Sequence, residues 1–215
     1  IQAYASATSV QPGQTLTFYV STQVEGTRYS IGVYRLGWYG GLGGRLQTLQ
    51  PNLVGHSQGY YDQTNHHLVN CTSCRIDTKT GLVEANWQPS YTLSVPSGWV
   101  TGVYLAKFAD ANGMQTYLSF DVRGNTHSIY IVVTPDTTCE AYNLWGGYSL
   151  YEADTKLVTG NSEVQNSARA MKVSFDRPTL DEYGSGQALV NEADPVHWME
   201  RQGYDLSYMS DVDLH

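Results

Sequence analysis

The sequence lacks any long apolar run and any segment with the features of a signal peptide. A helix that crosses a membrane needs about 20 consecutive apolar residues, and no stretch of this chain approaches that length. The sequence therefore predicts no membrane span. With 41% hydrophobic and only 15% charged residues, the composition is that of a folded protein, because disordered chains combine low hydrophobicity with high charge.

An excess of positive charge is also missing, since the formal net charge of the 215 residues is −8. Residues 1–124 hold 7 basic and 6 acidic side chains, whereas residues 125–215 hold 5 and 14. Nucleic acids and anionic membranes bind to basic faces. The sequence therefore predicts no nucleic-acid partner. The acidity of the second part is interpreted either as a solvated surface or as a surface for a cation or a neutral polar substrate.

Cysteine is scarce, with Cys71, Cys74 and Cys139 as the only copies. The first two frame a C-T-S-C loop, but the second C-x-x-C pair that a zinc site requires is absent. Three interpretations stay open: a small-loop disulfide, reduced thiols, or a metal loop completed by His66 and His67. The C-T-S-C pair and a first residue other than Met favour a secreted or extracytoplasmic protein, and a cytoplasmic location stays compatible with the sequence.

Complete catalytic motifs are missing as well. The sequence contains no G-x-S-x-G elbow, no P-loop and no G-x-G-x-x-G between a strand and a helix. The glycine-rich run at residues 40–44 follows a strand-like stretch and opens no helix. It is interpreted as a wide turn or bulge that lets Trp38 and Tyr39 pack.

Alternating segments of strand-forming residues fill the first 124 positions. Short strands separated by turn signals are typical of a sandwich or a barrel. The Asn112-Gly113 pair predicts a type I′ hairpin turn, because both residues accept positive φ angles. The clearest alternating segments are residues 15–20, 29–34, 91–95, 103–108 and 117–122.

The pattern changes after a polar hinge at residues 123–126. The unbroken apolar run at residues 129–133 predicts a strand that is covered on both faces, as in a parallel sheet flanked by helices. Further strands are predicted at residues 171–175 and 204–209. Between them lies a short helix with Asp194 as its N-cap, proline at its first position and Gly203 just past its end.

Two or three strands with one helix leave apolar faces and a strand edge uncovered. We therefore expect either that the polypeptide continues past His215 or that a partner, such as a second copy of the chain, covers the sheet. The segment at residues 134–151 follows the first of these strands. Ligands of open α/β sheets bind beyond the carboxyl ends of strands, so this polar and aromatic loop is the candidate binding region.

The segments that carry a family resemblance run in order over nearly the whole chain. In these segments the sequence resembles the N,N-dimethylformamidase large (beta) subunit-like family. The matching segments are residues 35–41 (R-L-G-W-Y-G-G), 43–45, 81–84, 102–107, 135–151, 172–178 and 203–205.

The resemblance implies a mainly β plus α/β architecture. On this basis, residues 1–124 are expected to form an immunoglobulin-like β-sandwich domain. Residues 127–215 are expected to form the N-terminal part of an open α/β domain of the flavodoxin or amidotransferase kind, truncated within this chain.

The resemblance also implies an amidohydrolase that hydrolyses a small amide with a mononuclear iron, held by two tyrosine phenolates and one glutamate. Such an iron would polarise the amide carbonyl and activate water, and phenolate oxygens suit a ferric ion. By position in the family motifs, Tyr142 in an A-Y-N motif is the first phenolate candidate and Tyr183 in an E-Y-G motif is the second. Thr179 departs from the family pattern, which places a tyrosine after the Arg-Pro pair.

Two alternatives stand beside this reading. Each tyrosine can instead be a packed ring with a bonded hydroxyl. The His-x-Glu-Tyr-Trp motif that carries the family's glutamate ligand is absent from these 215 residues, so the third ligand is expected to lie outside them and no catalytic residue is assigned. The alternative function is a secreted, non-catalytic binding or self-assembling module built on the same fold, present as a homo-oligomer.

Overall fold

The computed structural model describes residues 1–124, 127–152 and 169–214, and strands dominate them. The strands are β1 (Gln2–Ala5), β2 (Ser9–Val10), β3 (Thr15–Ser21), β4 (Arg28–Leu36), β5 (Gly44–Val54), β6 (Tyr60–Asp62), β7 (His67–Val69), β8 (Arg75–Asp77), β9 (Leu82–Glu84), β10 (Tyr91–Ser94), β11 (Gly102–Asp110), β12 (Gln115–Val122), β13 (Tyr130–Thr134) and β14 (Leu206–Ser210). The α-helices are α1 (Asp136–Tyr142) and α2 (Ala193–Arg201). Neither helix of the described residues is long and apolar enough to cross a membrane.

Two sheets in the first part of the chain share one apolar core. One sheet has the antiparallel order β1-β3-β10, and the other has the order β2-β12-β11-β4-β5. Alternate residues of β3 are buried, as the period of two in a strand requires. Strand β11 is buried at every position from Gly102 to Ala106, because its second face packs against α2 and β14. Phe18 of the first sheet meets Phe108 of the second edge to face, with ring centroids 5.4 Å apart. The five predicted alternating segments coincide with β3, β4, β10, β11 and β12, so these strand predictions are confirmed.

The hairpin between β11 and β12 is confirmed, but its predicted type I′ turn is wrong. A type I′ turn needs positive φ at both central residues, and here only Gly113 has a positive φ, of 85°. The carboxylate of Asp110 explains the difference, because its Oδ1 accepts hydrogen bonds from the backbone N–H groups of Asn112 at 2.9 Å and Met114 at 3.0 Å. These bonds stabilise a longer connection.

A disulfide joins Cys71 and Cys74 in the loop between β7 and β8. Of the three interpretations of the C-T-S-C loop, the structure thus shows the disulfide, so these sulfurs are not metal ligands. The indole Nε1 of Trp87 lies 3.5 Å from the Cys71 sulfur. Trp87 belongs to a second apolar cluster that also contains Trp145 and Tyr148, so the segment after α1 is buried against the first part of the chain.

Strands β13 and β14 form a parallel pair, with Tyr130 opposite Leu206. This confirms the predicted strands at residues 129–133 and 204–209. The predicted burial of the first strand on both faces is wrong for the described residues. β13 is an edge strand with β14 as its neighbour, and Ile131 is 60% exposed.

The predicted strand at residues 171–175 is also wrong, because this segment is irregular. Its backbone makes isolated hydrogen bonds in place of a ladder. Met171 donates to the carbonyl of Thr80, and Asp176 accepts from the N–H of Ala85. The Val173 side chain packs against the apolar cluster around Trp145, which includes residues of the first part of the chain.

Helix α2 occupies the predicted place but begins differently. The predicted N-cap at Asp194 is wrong, since a π-helical turn at Ala188–Glu192 runs straight into α2 and Asp194 lies within its first turn. Pro195 follows in that first turn, where a missing N–H costs no intrahelical hydrogen bond. The predicted glycine past the end is confirmed, because Gly203 has a φ of 76°.

The glycine-rich run at residues 40–44 is a turn, as predicted. Gly40 and Gly41 have φ angles of 69° and 96°. The turn carries Trp38 onto helix α2, where the Trp38 N–H donates to Glu200 Oε2 at 3.1 Å and the guanidinium of Arg201 lies 4.9 Å from the Trp38 ring. This turn is therefore a docking element between the first sheets and α2.

Candidate functional site

Tyr142 is the last residue of α1 and points its ring to the surface. The side chain is 52% exposed, and its ring stacks on that of Tyr151 with centroids 4.2 Å apart. Its phenol oxygen has no hydrogen-bond partner among the described residues. The ring is therefore packed on Tyr151, while its hydroxyl is unbonded within the part of the chain that the structure describes.

Tyr183 sits on a strained turn. Glu182 and Tyr183 have φ angles of 48° and 57°, in the left-handed region that side chains other than glycine rarely adopt. Such a backbone costs roughly 1–3 kcal/mol per residue and is concentrated at functional sites. The Tyr183 side chain is 76% exposed, and its phenol oxygen also lacks a partner among the described residues.

Strand β12 holds this turn in place. The hydroxyl of Thr116 donates to the carbonyl of Tyr183 at 2.9 Å. Gly184 has a φ of 96° and lies so close to β12 that a Cβ would collide with the carbonyl oxygen of Tyr117. The strain at Tyr183 is thus fixed by contacts on both sides of the tyrosine.

Asn143 ties the segment that carries Tyr142 to the segment that leads to Tyr183. Its Nδ2 donates to the carbonyl of Pro178 at 2.9 Å. Its Oδ1 accepts from the N–H of Trp145 at 3.1 Å and from that of Leu180 at 3.3 Å. Asn143 is fully buried, so these bonds are shielded from water and join the two tyrosine-bearing segments firmly.

A buried ion pair lies under the same two segments. Arg177 contacts Glu140 Oε1 at 2.6 Å and also donates to the backbone carbonyls of Asn143, Trp145 and Tyr148. Burial raises the pKa of Glu140 to about 7, and the nearby Arg177 guanidinium opposes that rise. Because Arg177 satisfies three carbonyls of the turn after Tyr142, it fixes the path of the backbone there.

A small cleft of about 60 Å³ opens between α1, residues 179–186 and the first sheets. Asp136, Cys139 and Glu140 form its polar wall, and Leu118 and Phe175 contribute apolar surface. Burial raises the pKa of Cys139 to about 12, so this cysteine is a neutral thiol near neutral pH. The cleft admits a molecule of a few heavy atoms beside α1.

Sequence reasoning missed two parts of this arrangement. It treated residues 134–151 as a loop, whereas α1 forms within them; Pro135 followed by Asp136 was the available signal for a helix start. It also did not pair Glu140 with Arg177. A buried ion pair between residues so far apart in the chain leaves no periodic signal in the sequence.

Iron is the metal that the family resemblance implies for Tyr142 and Tyr183. Within residues 1–124, 127–152 and 169–214, no three His, Cys, Asp or Glu side chains form a group that could hold a metal. Both tyrosine side chains are exposed, and neither phenol oxygen has a hydrogen-bond partner among the described residues. Hard anionic oxygens are the ligands that stabilise a ferric ion. The described residues show no ring contact or hydrogen bond between Tyr142 and Tyr183, although Asn143 joins the segments that carry them.

The sheets make this a mainly β protein. The strained turn at Tyr183 and the buried ion pair of Arg177 mark its candidate site. A family model described as "N,N-dimethylformamidase beta subunit-like, C-terminal" matches residues 30–215. This chain therefore belongs to the N,N-dimethylformamidase beta subunit-like family. No curated protein matches the chain.

Proposed function

We propose that this protein is part of an iron-dependent amidohydrolase that hydrolyses a small amide, with Tyr142 and Tyr183 as phenolate ligands. The observation that carries the proposal is the pair of exposed, unbonded phenols on segments that buried Asn143 and Arg177 hold together. Membership of the dimethylformamidase-like family supports the substrate class.

The chain's own residues would supply two of the three ligands that the family resemblance implies. When bound, iron would supply Lewis acidity toward the amide carbonyl and toward water. Tyr142 and Tyr183 would hold the ion, while Arg177 and Thr116 would fix the backbone on which the two phenols are carried. The structure assigns no residue to the carboxylate ligand that the resemblance implies.

We also propose a domain type for each of the two parts of the chain. The two facing sheets within residues 1–124 would form an immunoglobulin-like domain, and residues 127–215 would form the first part of an open α/β domain. The Cys71–Cys74 disulfide supports a secreted or extracytoplasmic location, because disulfides persist in oxidising compartments.

Metal content and hydrolysis measured on the full-length gene product test this function. We expect purified protein to contain iron and to release dimethylamine from N,N-dimethylformamide or ammonia from acetamide. A chelator should abolish hydrolysis, and ferric salt should restore it, because the Lewis acid is needed for the reaction. Hydrolysis that persists in iron-free protein, or iron-loaded protein that hydrolyses neither amide, would contradict the proposal.

A second candidate function is a self-assembling module, and the exposed strand β13 favours it. Tyr130, Ile131 and Val133 are exposed on this edge strand, and unpaired strand edges readily pair with other chains. If β13 is an assembly surface, Ile131→Lys should convert an oligomer to a monomer in light scattering. Val24→Lys, at a similarly exposed apolar residue elsewhere, is the control. Wild-type protein that is already monomeric would rule out self-assembly.

A further inference from the structure

Two acidic side chains meet a single hydroxyl where the first and second parts of the chain join. Asp121 lies on β12, Thr134 ends β13 and Asp136 begins α1. The Thr134 Oγ1 lies 2.6 Å from Asp121 Oδ2 and 2.9 Å from Asp136 Oδ2. Both carboxylate oxygens are therefore within hydrogen-bond distance of the Thr134 hydroxyl.

The number of hydrogens available to these three side chains decides whether one of the carboxyl groups is protonated. A threonine hydroxyl carries one hydrogen, and an ionised carboxylate can only accept. Thr134 can therefore donate to one of the two carboxylates, but its contact with the other is a hydrogen bond only if that carboxyl carries a proton. With both groups ionised, one of these contacts would place two acceptors against each other.

The surroundings of Asp121 favour it over Asp136 as the protonated group. It is only 1% exposed, and its Oδ1 has no hydrogen-bond partner among the described residues. Burial raises the pKa of Asp121 well above its ordinary value. Burial also raises the pKa of Asp136, but a hydrogen bond from Ser210 opposes that rise. The ionised form is therefore better supported at Asp136.

The described charged groups that act on Asp121 are acidic and do not neutralise it. Glu192 from the π-helical turn, and Asp211 and Asp213 from the turn after β14, act on this pair and are all acidic. Arg123 follows β12 in the chain, and its Nη1 donates to Asp213 at 2.9 Å. Asp121 is thus left among negative groups.

A metal ion does not fit in this place. The space between Asp121, Thr134, Asp136 and Glu192 has no room for a water molecule. The described residues also provide no group of three metal-binding side chains here. A proton is the one cation that this space can hold.

We propose that the Asp121 carboxyl is protonated at neutral pH. Its O–H donates a hydrogen bond to the Thr134 hydroxyl, which in turn donates a hydrogen bond to the Asp136 carboxylate, so that these two bonds link β12 to β13 and α1. Release of this proton to solvent at higher pH leaves two buried carboxylates that compete for one hydroxyl. The contact of β12 with β13 and α1 therefore weakens as the pH rises. This inference does not depend on the proposed hydrolase function.

The pH dependence of unfolding in denaturant tests the inference. The folded protein binds more protons than the unfolded chain between the unfolded pKa of an aspartate, about 3.9, and the raised folded pKa. Stability from this group is therefore complete below the unfolded pKa and is lost as pH rises through the folded pKa. The denaturant concentration at the midpoint of wild-type unfolding should decrease as the pH is raised from about 5 to about 9.

Asp121→Asn is the informative variant, because its amide is neutral and can donate to Thr134 in place of the acid. Its stability curve should be shallower than that of the wild type by about one proton. Other buried carboxyls, such as Glu192, contribute equally to both curves. Asp194→Asn, at an exposed aspartate in the first turn of α2 whose side chain has no hydrogen bond among the described residues, is the control and should keep the wild-type slope.

A measurement on the wild type keeps the inference testable if Asp121→Asn fails to fold. Carbon-13 spectra of protein labelled at aspartate carboxyls should show one protonated, buried aspartate at neutral pH. Spectra in which every aspartate is ionised at neutral pH would overturn the inference. An Asp121→Asn variant that folds and keeps the full wild-type slope would do the same.

Discussion

Replacing Arg177 with methionine should unfold the protein or bring it close to unfolding. The side chain is completely buried and contacts Glu140 at 2.6 Å. Removing one partner of a buried ion pair costs about 3–5 kcal/mol, since the other charge is left uncompensated. The carbonyls of Asn143, Trp145 and Tyr148 would also lose donors, at roughly 1–3 kcal/mol for each buried unsatisfied group. Because a whole domain is stable by only about 5–15 kcal/mol, this loss is decisive.

Thermal or denaturant unfolding measures this effect. Arg75→Met is the matched control, because Arg75 is exposed on β8 and its removal should change stability by less than about 0.5 kcal/mol. The double variant Glu140→Gln with Arg177→Met should recover part of the loss, since it removes the stranded charge. A stable Arg177→Met protein with unchanged unfolding would show that the ion pair does not hold the turn after Tyr142.

Replacing Tyr142 with phenylalanine should abolish iron binding while leaving the fold intact. The tyrosine is exposed and its oxygen has no hydrogen-bond partner in the described residues, so the hydroxyl contributes nothing to packing. Loss of residues that only support metal ligands costs about 10–100-fold in affinity or activity. Loss of a ligand itself should therefore lower amide hydrolysis by more than about 100-fold. Iron content and hydrolysis rate are the measurements.

Tyr151→Phe is the control for that variant. Its ring stacks on Tyr142, and phenylalanine keeps the stack, so iron content should stay at the wild-type value. Tyr183→Phe should behave as Tyr142→Phe does. If Tyr142→Phe keeps full iron and activity while Tyr151→Phe loses them, the assignment of Tyr142 as ligand is wrong.

The strands of the first part could be predicted because each one carries its own signal. Segments such as residues 15–20 alternate in polarity, and one face of each strand is buried in the shared core. The hairpin turn could not be predicted in detail, because the Asp110 carboxylate competes with the local preference of Asn112-Gly113. A side chain next to the Asn112-Gly113 pair thus decided the geometry of the turn.

The second part of the chain was less predictable because its structure depends on contacts across the molecule. Residues 171–175 have a strand-like sequence, yet their backbone bonds to Thr80 and Ala85 in the first part prevent a ladder. The site region shows the same limit. Tyr142 and Tyr183 were identified through the family resemblance, whereas the strain at Tyr183 depends on Thr116 of β12. Local patterns do not encode such contacts.

The resonance Raman spectrum of the full-length protein loaded with ferric iron tests the central proposal most directly. Excitation into a phenolate-to-iron absorption band should enhance tyrosinate vibrations, because phenolates that bind the metal share its electronic transition. We predict these vibrations in the wild type and in Tyr151→Phe, and their loss in Tyr142→Phe. Iron-loaded wild-type protein without tyrosinate vibrations would contradict the assignment of Tyr142 and Tyr183 as ligands.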